Sequence, residues 1–365
     1  MNIVMVSYRR VKLGKKMNHW RALNPALALA TSPETLSFGG GIDGIGVTSG
    51  TPKVYLVVYG NQWGSVSTDA NGNLTTSGDT NGALPYLQKL FKGLGTGNEL
   101  WSGVMTQYCD GPLVASGASS CPAAAPHVGY PTGGALAGIW YDNSVASPAA
   151  ANGNQLANEA IKAAAHFGNT TAASNRYAHY VILSPTGTQP DGFNTPSGGF
   201  CAWHDYNGDT TLTGGAVASN YGDIAFTNFS YVTDAGASCG QAFVNAGSAG
   251  TLDGVSIVEG HEYAETVTDQ NPAGGWTNHT GNATYNGQEN GDECAWLSSG
   301  SGASANVSMG NGAYAMQSTW YSEAIHLDNK IGKSAHEPLR GTGNRCSTNG
   351  GYTVINFEGS IICEE

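Results

Sequence analysis

NQLANEAIKAAAHFGNTTAASNRYAHYVILSP, residues 154–185, sets a helix directly ahead of a buried strand. Its first half is Ala-rich, with helical periodicity, and Gly168 ends it. His166 lies in the last turn, where an imidazole sits favourably against the helix dipole. RYAHYVILSP then reads as a strongly apolar strand. Working outward, TPKVYLVVYG (51–60) is a second strand, β-branched and aromatic. ALPYLQKLFKGL (83–94) is a short amphipathic helix with Leu84, Leu87, Leu90 and Phe91 at helical spacing. WSGVMTQYC (101–109) reads as a strand, residues 110–135 as Gly-, Pro- and Ala-rich loop, and GALAGIWYDNS (134–144) as a short strand. Strand and helix thus alternate through the first half. The expected class is α/β, a layered mixed β-sheet with helices, with α+β as the alternative.

The chain has 365 residues, of which 53 are Gly and only 12% are charged, about half the usual share. That profile suits a loop-rich secreted protein. Charge is unevenly placed: Arg9, Arg10, Lys12, Lys15, Lys16 and Arg21 precede any acid, and beyond residue 24 nine basic residues face 27 acidic ones. So acidic a body repels nucleic acid and anionic membrane surfaces. The basic start followed by ALNPALALATS reads as a degenerate export segment over residues 1–36, or as a disordered basic terminus. Folding is expected to begin near Thr51, within a single domain over 37–330, and the Gly-rich residues 331–365 form a tail. No apolar run is long enough to span a membrane, and a monomer is expected.

Seven cysteines match no zinc-finger spacing. Cys109 with Cys121 would close a short loop, Cys239 with Cys294 would bracket a helix, and Cys346 with Cys363 would staple the tail. That leaves Cys201 odd, and pairings cannot be deduced from sequence.

The chemistry concentrates in TLDGVSIVEGHEYAETVTD, residues 251–269, an expected amphipathic helix with Val255 and Val258 on its inward stripe. Positions i and i+4 lie on one face, so His261 and Glu265 are placed to grip one metal ion, with Glu262 able to reach a water upon it. This is the logic of a zincin helix, with Glu265 where a second histidine would stand. An isolated His-Glu on a helix is also a common accident. Acidic residues in so apolar a helix, however, are costly unless paired or bound. ENGDECAW (289–296) supplies a third ligand, Asp292 first and Glu289 close behind, with Asp269 and His204 as further candidates. Imidazole makes His204 the better zinc donor chemically, while its CAWH setting equally fits a core turn. His279 and His326 rank lower. Zinc is the expected ion and calcium the alternative, for which a histidine is a poor ligand.

With a metal in place, Glu262 would take a proton from the bound water and return it to a leaving amine, which is peptide or amide hydrolysis. Tyr263 and Tyr285 are candidate oxyanion donors, and Trp276 and Trp296 read either as cleft walls or as core. A non-enzymatic wall or carbohydrate-binding protein with a structural metal, and a metal-free hydrolase using Glu262, Glu265 and Asp292, are the competing readings. There is no G-x-S-x-G elbow, P-loop or dinucleotide fingerprint.

Six segments carry a resemblance: PKVYLVVYGNQWG (52–64), YVILSPTGTQPDGFNTPSGGFCAWHDY (180–206), AFTNFSYVTDAGASCG (225–240), GVSIVEGHEYAETVTDQNPAGGW (254–276), ENGDECAW (289–296) and AMQSTWYSEA (315–324). In this order they resemble the phosphate-induced protein (EXORDIUM-like) family in its bacterial and fungal secreted form. The resemblance covers roughly Thr51 to Ala324 and leaves out the tail. It implies an extracellular or cell-wall location, with a protein, peptide or wall polymer as partner. Plant members look like wall-associated growth regulators and typically lack the His-Glu pair that this chain keeps.

Overall fold

A computed structural model describes residues 36–196, 199–279, 286–300 and 302–321, with three short strand segments at 345–347, 354–355 and 361–362. Residues 1–35 of the expected export segment (1–36), His326, Tyr285 and most of the tail lie outside the described residues.

In chain order the elements are β1 (Leu36–Phe38), β2 (Lys53–Tyr59), the β3 (Val66–Thr68) and β4 (Leu74–Thr76) hairpin, α1 (Ala83–Gly93), α2 (Trp101–Met105) and β5 (Leu136–Asp142). Then come α3 (Gly153–His166), α4 (Ala172–Asn175), β6 (Ala178–Leu183), β7 (Ala202–Tyr206), β8 (Ala225–Phe229) and α5 (Asp253–Thr268). β9 (Trp276–Asn278), β10 (Ala305–Met309), β11 (Gly312–Met316) and β12 (Thr319–Tyr321) follow. Strands β5-β2-β6-β8-β7 form a mixed five-stranded sheet, parallel except for β7 at one edge. The class is α/β.

The sheet is covered on both faces, which is why its central strands are continuous apolar runs and every residue of β6 is buried. Residues paired across neighbouring strands share a face. Val54, His179 and Ala225 lie in one such row, and Thr227 with His204 in the next. This face looks at α5, since His179 Nε2 reaches Thr266 Oγ1 at 3.3 Å. On the opposite face Tyr55 stacks on Tyr180 and meets Phe167, just past α3. Asn152 and Gln155 cap α3 reciprocally, and His166 stacks on Trp140 at its end.

α5 differs from the amphipathic helix expected. All sixteen of its residues are buried. The sheet covers one side, and α1, α2 and β11 cover the rest. Some of its polar side chains are answered from within the protein, as where Ser256 Oγ donates to Ala315 O at 2.6 Å, while the carboxyl oxygens of Glu259 and Glu262 receive no hydrogen bond.

Three further expectations are corrected. WSGVMTQYC is not a strand: Trp101–Met105 is a helical turn whose Trp101, Val104 and Met105 pack inward. Its entry is held by Glu99, which accepts from Ser102 N at 2.9 Å. Ordered structure begins before Thr51, because β1 pairs with β9 and buries Leu36 and Phe38. Cys239 is bonded to Cys201, not to Cys294. Cys201 leads into β7 and Cys239 follows its neighbour β8, and their Cα atoms lie 5.6 Å apart. Cys294 is bridged to a different cysteine, while Cys109 and Cys121 pair as expected. Such bonds fit an oxidising, extracellular setting. No helix among the described residues is long and apolar enough to cross a membrane.

Candidate metal centre

Three pieces of chain converge on the middle of the molecule. α5 brings His261, Glu262 and Glu265. The edge strand β7 brings His204, whose face of the sheet looks at α5. The turn after β9 brings Glu289 and Asp292. His204, His261, Glu262 and Glu265 are fully buried, and Asp292, at 8% exposure, is the most open of the six.

His261 is oriented from behind. Its Nδ1 lies 3.1 Å from Gln317 Oε1. The Gln317 amide nitrogen donates to Gly291 O at 2.8 Å and to Ser318 O at 3.1 Å. Its oxygen must therefore accept, and Nδ1 must carry the proton. His261 Nε2 is thus turned toward Glu265 Oε1 at 3.0 Å and Asp292 Oδ1 at 4.0 Å. A ring nitrogen facing two carboxylates calls for a cation between them, and a histidine held by a second-shell acceptor is how metal ligands are ordinarily fixed. Asp292 N donates to Glu265 Oε1 at 3.1 Å, which steadies that carboxylate in turn.

His204 is held in the same manner. Its Nε2–H donates to Asp269 O at 3.1 Å, because a carbonyl can only accept. Its Nδ1 faces Glu262 Oε2 at 3.5 Å and Glu265 Oε2 at 3.7 Å. Glu289 Oε1 lies on the other flank, 3.5 Å from Nε2. Two trios result. His261, Glu265 and Asp292 each place a ligand atom within 4.8 Å of the others, and so do His204, Glu265 and Glu289. The nitrogen and oxygen donors of both trios fit zinc, and the histidines weigh against calcium.

Electrostatics favour a cation here. Burial, then the charges of Glu265, Glu259 and Asp292, pushes the Glu262 carboxyl far above its usual range. Burial followed by repulsion from Asp292 does the same to Glu265, and burial followed by Glu265 and Asp269 does so to Glu289. Neither oxygen of Glu262 receives a hydrogen bond. A positive ion among these groups inverts that penalty.

Other expected residues have different engagements. The Asp269 carboxylate accepts from Ala273 N at 2.7 Å and Gly275 N at 2.5 Å, so it shapes the turn after α5, and it also acts on Glu289 at the edge of the centre. His279 bonds Ser37 and Thr277 beside β1. Tyr263 packs against Trp101 and Phe91 in the core, and Trp276 and Trp296 are buried likewise. A third cluster, Cys109, Cys121 and His127, has its two sulfurs bonded to each other. Sequence reading missed Gln317 and Gly291, which no spacing signals. Glu259, one turn before Glu262, is also fully buried, with both oxygens lacking a hydrogen-bond donor.

Against models of known families, curated proteins and solved structures, the chain shows no match.

Proposed function

We propose that this chain is a secreted metal-dependent hydrolase, a metallopeptidase that holds zinc between His261, Glu265 and Asp292. The observation that carries the reading is the convergence of these three ligand atoms within 4.8 Å, beside the Glu262 carboxylate, neither of whose oxygens receives a hydrogen bond. Three protein ligands leave a position open, as a catalytic zinc site requires. Zinc, when bound, polarises a carbonyl and makes water more acidic.

The chain's own residues do the rest. Gln317 fixes the His261 tautomer, and the Asp292 amide holds Glu265 in place. Glu262 is the general base, taking a proton from water and passing it to the leaving amine. The resemblance to the phosphate-induced protein family supports an extracellular site of action on a protein, peptide or wall polymer, and the disulfides agree with it.

Burial favours one competing reading. No member of the centre is more than 8% exposed, which also suits a structural metal in a non-catalytic wall protein. The two part on Glu262. In the hydrolase, Glu262→Gln keeps its metal and loses about 100-fold or more of kcat/KM on an unfolded protein substrate. Cleavage by the variant at the wild-type rate, or no cleavage by either metal-loaded protein, would decide for the structural site.

A further inference from the structure

Glu265 turns its two oxygens to two different histidines. Oε1 lies 3.0 Å from His261 Nε2, and Oε2 lies 3.7 Å from His204 Nδ1. We propose that this carboxylate bridges two divalent transition-metal ions, so that the centre is dinuclear. The first ion is that of the preceding section, on which the proposal rests. The second is held by His204, Glu265 and Glu289, the trio whose ligand atoms lie within 4.8 Å of one another.

The second position has a built shell. The carbonyl that orients His204 belongs to Asp269, the residue that closes α5, whose N–H donates to Glu265 O at 2.6 Å. The imidazole is therefore fixed to the same helix end that carries the bridging carboxylate. Metal-bound histidines commonly use a backbone carbonyl in this way. Glu289 is 1% exposed and flanks the ring. Glu262 supplies the independent observation. It is fully buried, both its oxygens lack a hydrogen-bond partner, and Oε2 stands 3.5 Å from His204 Nδ1.

Glu262, Glu265, Glu289 and Asp292 bring four carboxylates to one buried volume. A single carboxylate spans ions about 3.5–4 Å apart in two-metal hydrolases, which hold both ends of a reacting bond. Mixed imidazole and carboxylate donors select zinc or manganese.

The test titrates the metal-free full chain with Zn²⁺, removes excess by gel filtration and counts ions per chain by elemental mass spectrometry. Near-UV circular dichroism checks the fold of each variant. The wild type is expected to retain two ions and His204→Ala one. Glu289→Gln carries the same expectation should His204→Ala fail to fold. A wild type saturating at one ion overturns the dinuclear centre, and if that ion is lost only in His261→Ala the mononuclear hydrolase still stands. Two ions kept by both His204→Ala and Glu289→Gln also overturn it, since the second then lies elsewhere. A wild type that retains none overturns both readings.

Discussion

Gly291 brings backbone close against His261. A Cβ built there would lie 2.8 Å from His261 Nδ1, 3.0 Å from Cγ and 3.1 Å from Glu265 Oε1. Its φ of −73° is open to any residue, so space rather than backbone freedom requires glycine. Gly291 O also anchors the Gln317 amide that orients His261. Gly291→Ala should therefore displace two ligands at once and weaken zinc binding by about 10- to 100-fold, the usual effect of disturbing a ligand's supports. Competition against a chromophoric chelator measures this, and wild-type affinity in a folded variant would contradict it. At this scale the sequence was only partly legible. His261, Glu262 and Glu265 show themselves because a helix turn is local, and i to i+4 spacing puts two ligands together whatever the rest of the chain does. Gln317 and Gly291 do not, since they reach His261 through packing across 56 and 30 positions of chain, and nothing in their neighbours announces it.

Among the elements, β7 matters most to the centre after α5. It lies at the edge of the sheet, and His204, two residues into it, has to be presented to α5. The Cys201–Cys239 bond ties the entry of β7 to the segment that leads toward α5. Cys239 O lies close enough to Gly254 that a Cβ there would meet it at 2.0 Å, so the segment carrying Cys239 packs directly on the first turn of α5. Replacing both cysteines by serine should lower stability by about 2–4 kcal/mol, as for a loop of this length. The melting temperature would fall by several degrees, and an unchanged melting temperature would show that packing alone holds β7. The continuous apolar runs of β2 and β6 were legible because a strand buried on both faces has no polar phase. The helical turn at Trp101 was not, because a short apolar run fits either period until a cap such as Glu99 is seen in space. Nor was the burial of α5, which is covered by elements distant in the chain.

For the molecule as a whole, two buried carboxylate systems report on different things. On the far side of the sheet from α5, Glu159 of α3 sits with Asp142 and Lys162. Lys162 bonds Asp142, and its Nζ lies 3.6 Å from Glu159 Oε2. Burial, aided by the Asp142 charge and opposed by Lys162, raises Glu159 from 4.5 to about 8. Between those values the folded chain keeps a proton that the unfolded chain has released, so this group's contribution to stability falls as pH rises through the window and levels off above it. At about 1.4 kcal/mol per unit the loss amounts to a few kcal/mol. Glu159→Gln should accordingly gain on the wild type as pH is raised from about 5 to about 8, read as a widening gap in melting temperature. Parallel melting curves would contradict it. The second system, around His204 and His261, has no such simple release. It gathers carboxylates against two oriented imidazoles, and in the proposed reading a bound metal reconciles their burial with a folded protein. The most direct measurement is the metal content of the purified full chain, by elemental mass spectrometry, beside that of His261→Ala. Zinc bound stoichiometrically by the wild type, with the His261 ion missing from a folded variant, is the predicted result. A wild type without metal, or a variant that retains all of it, would contradict a metal centre built on His261, Glu265 and Asp292.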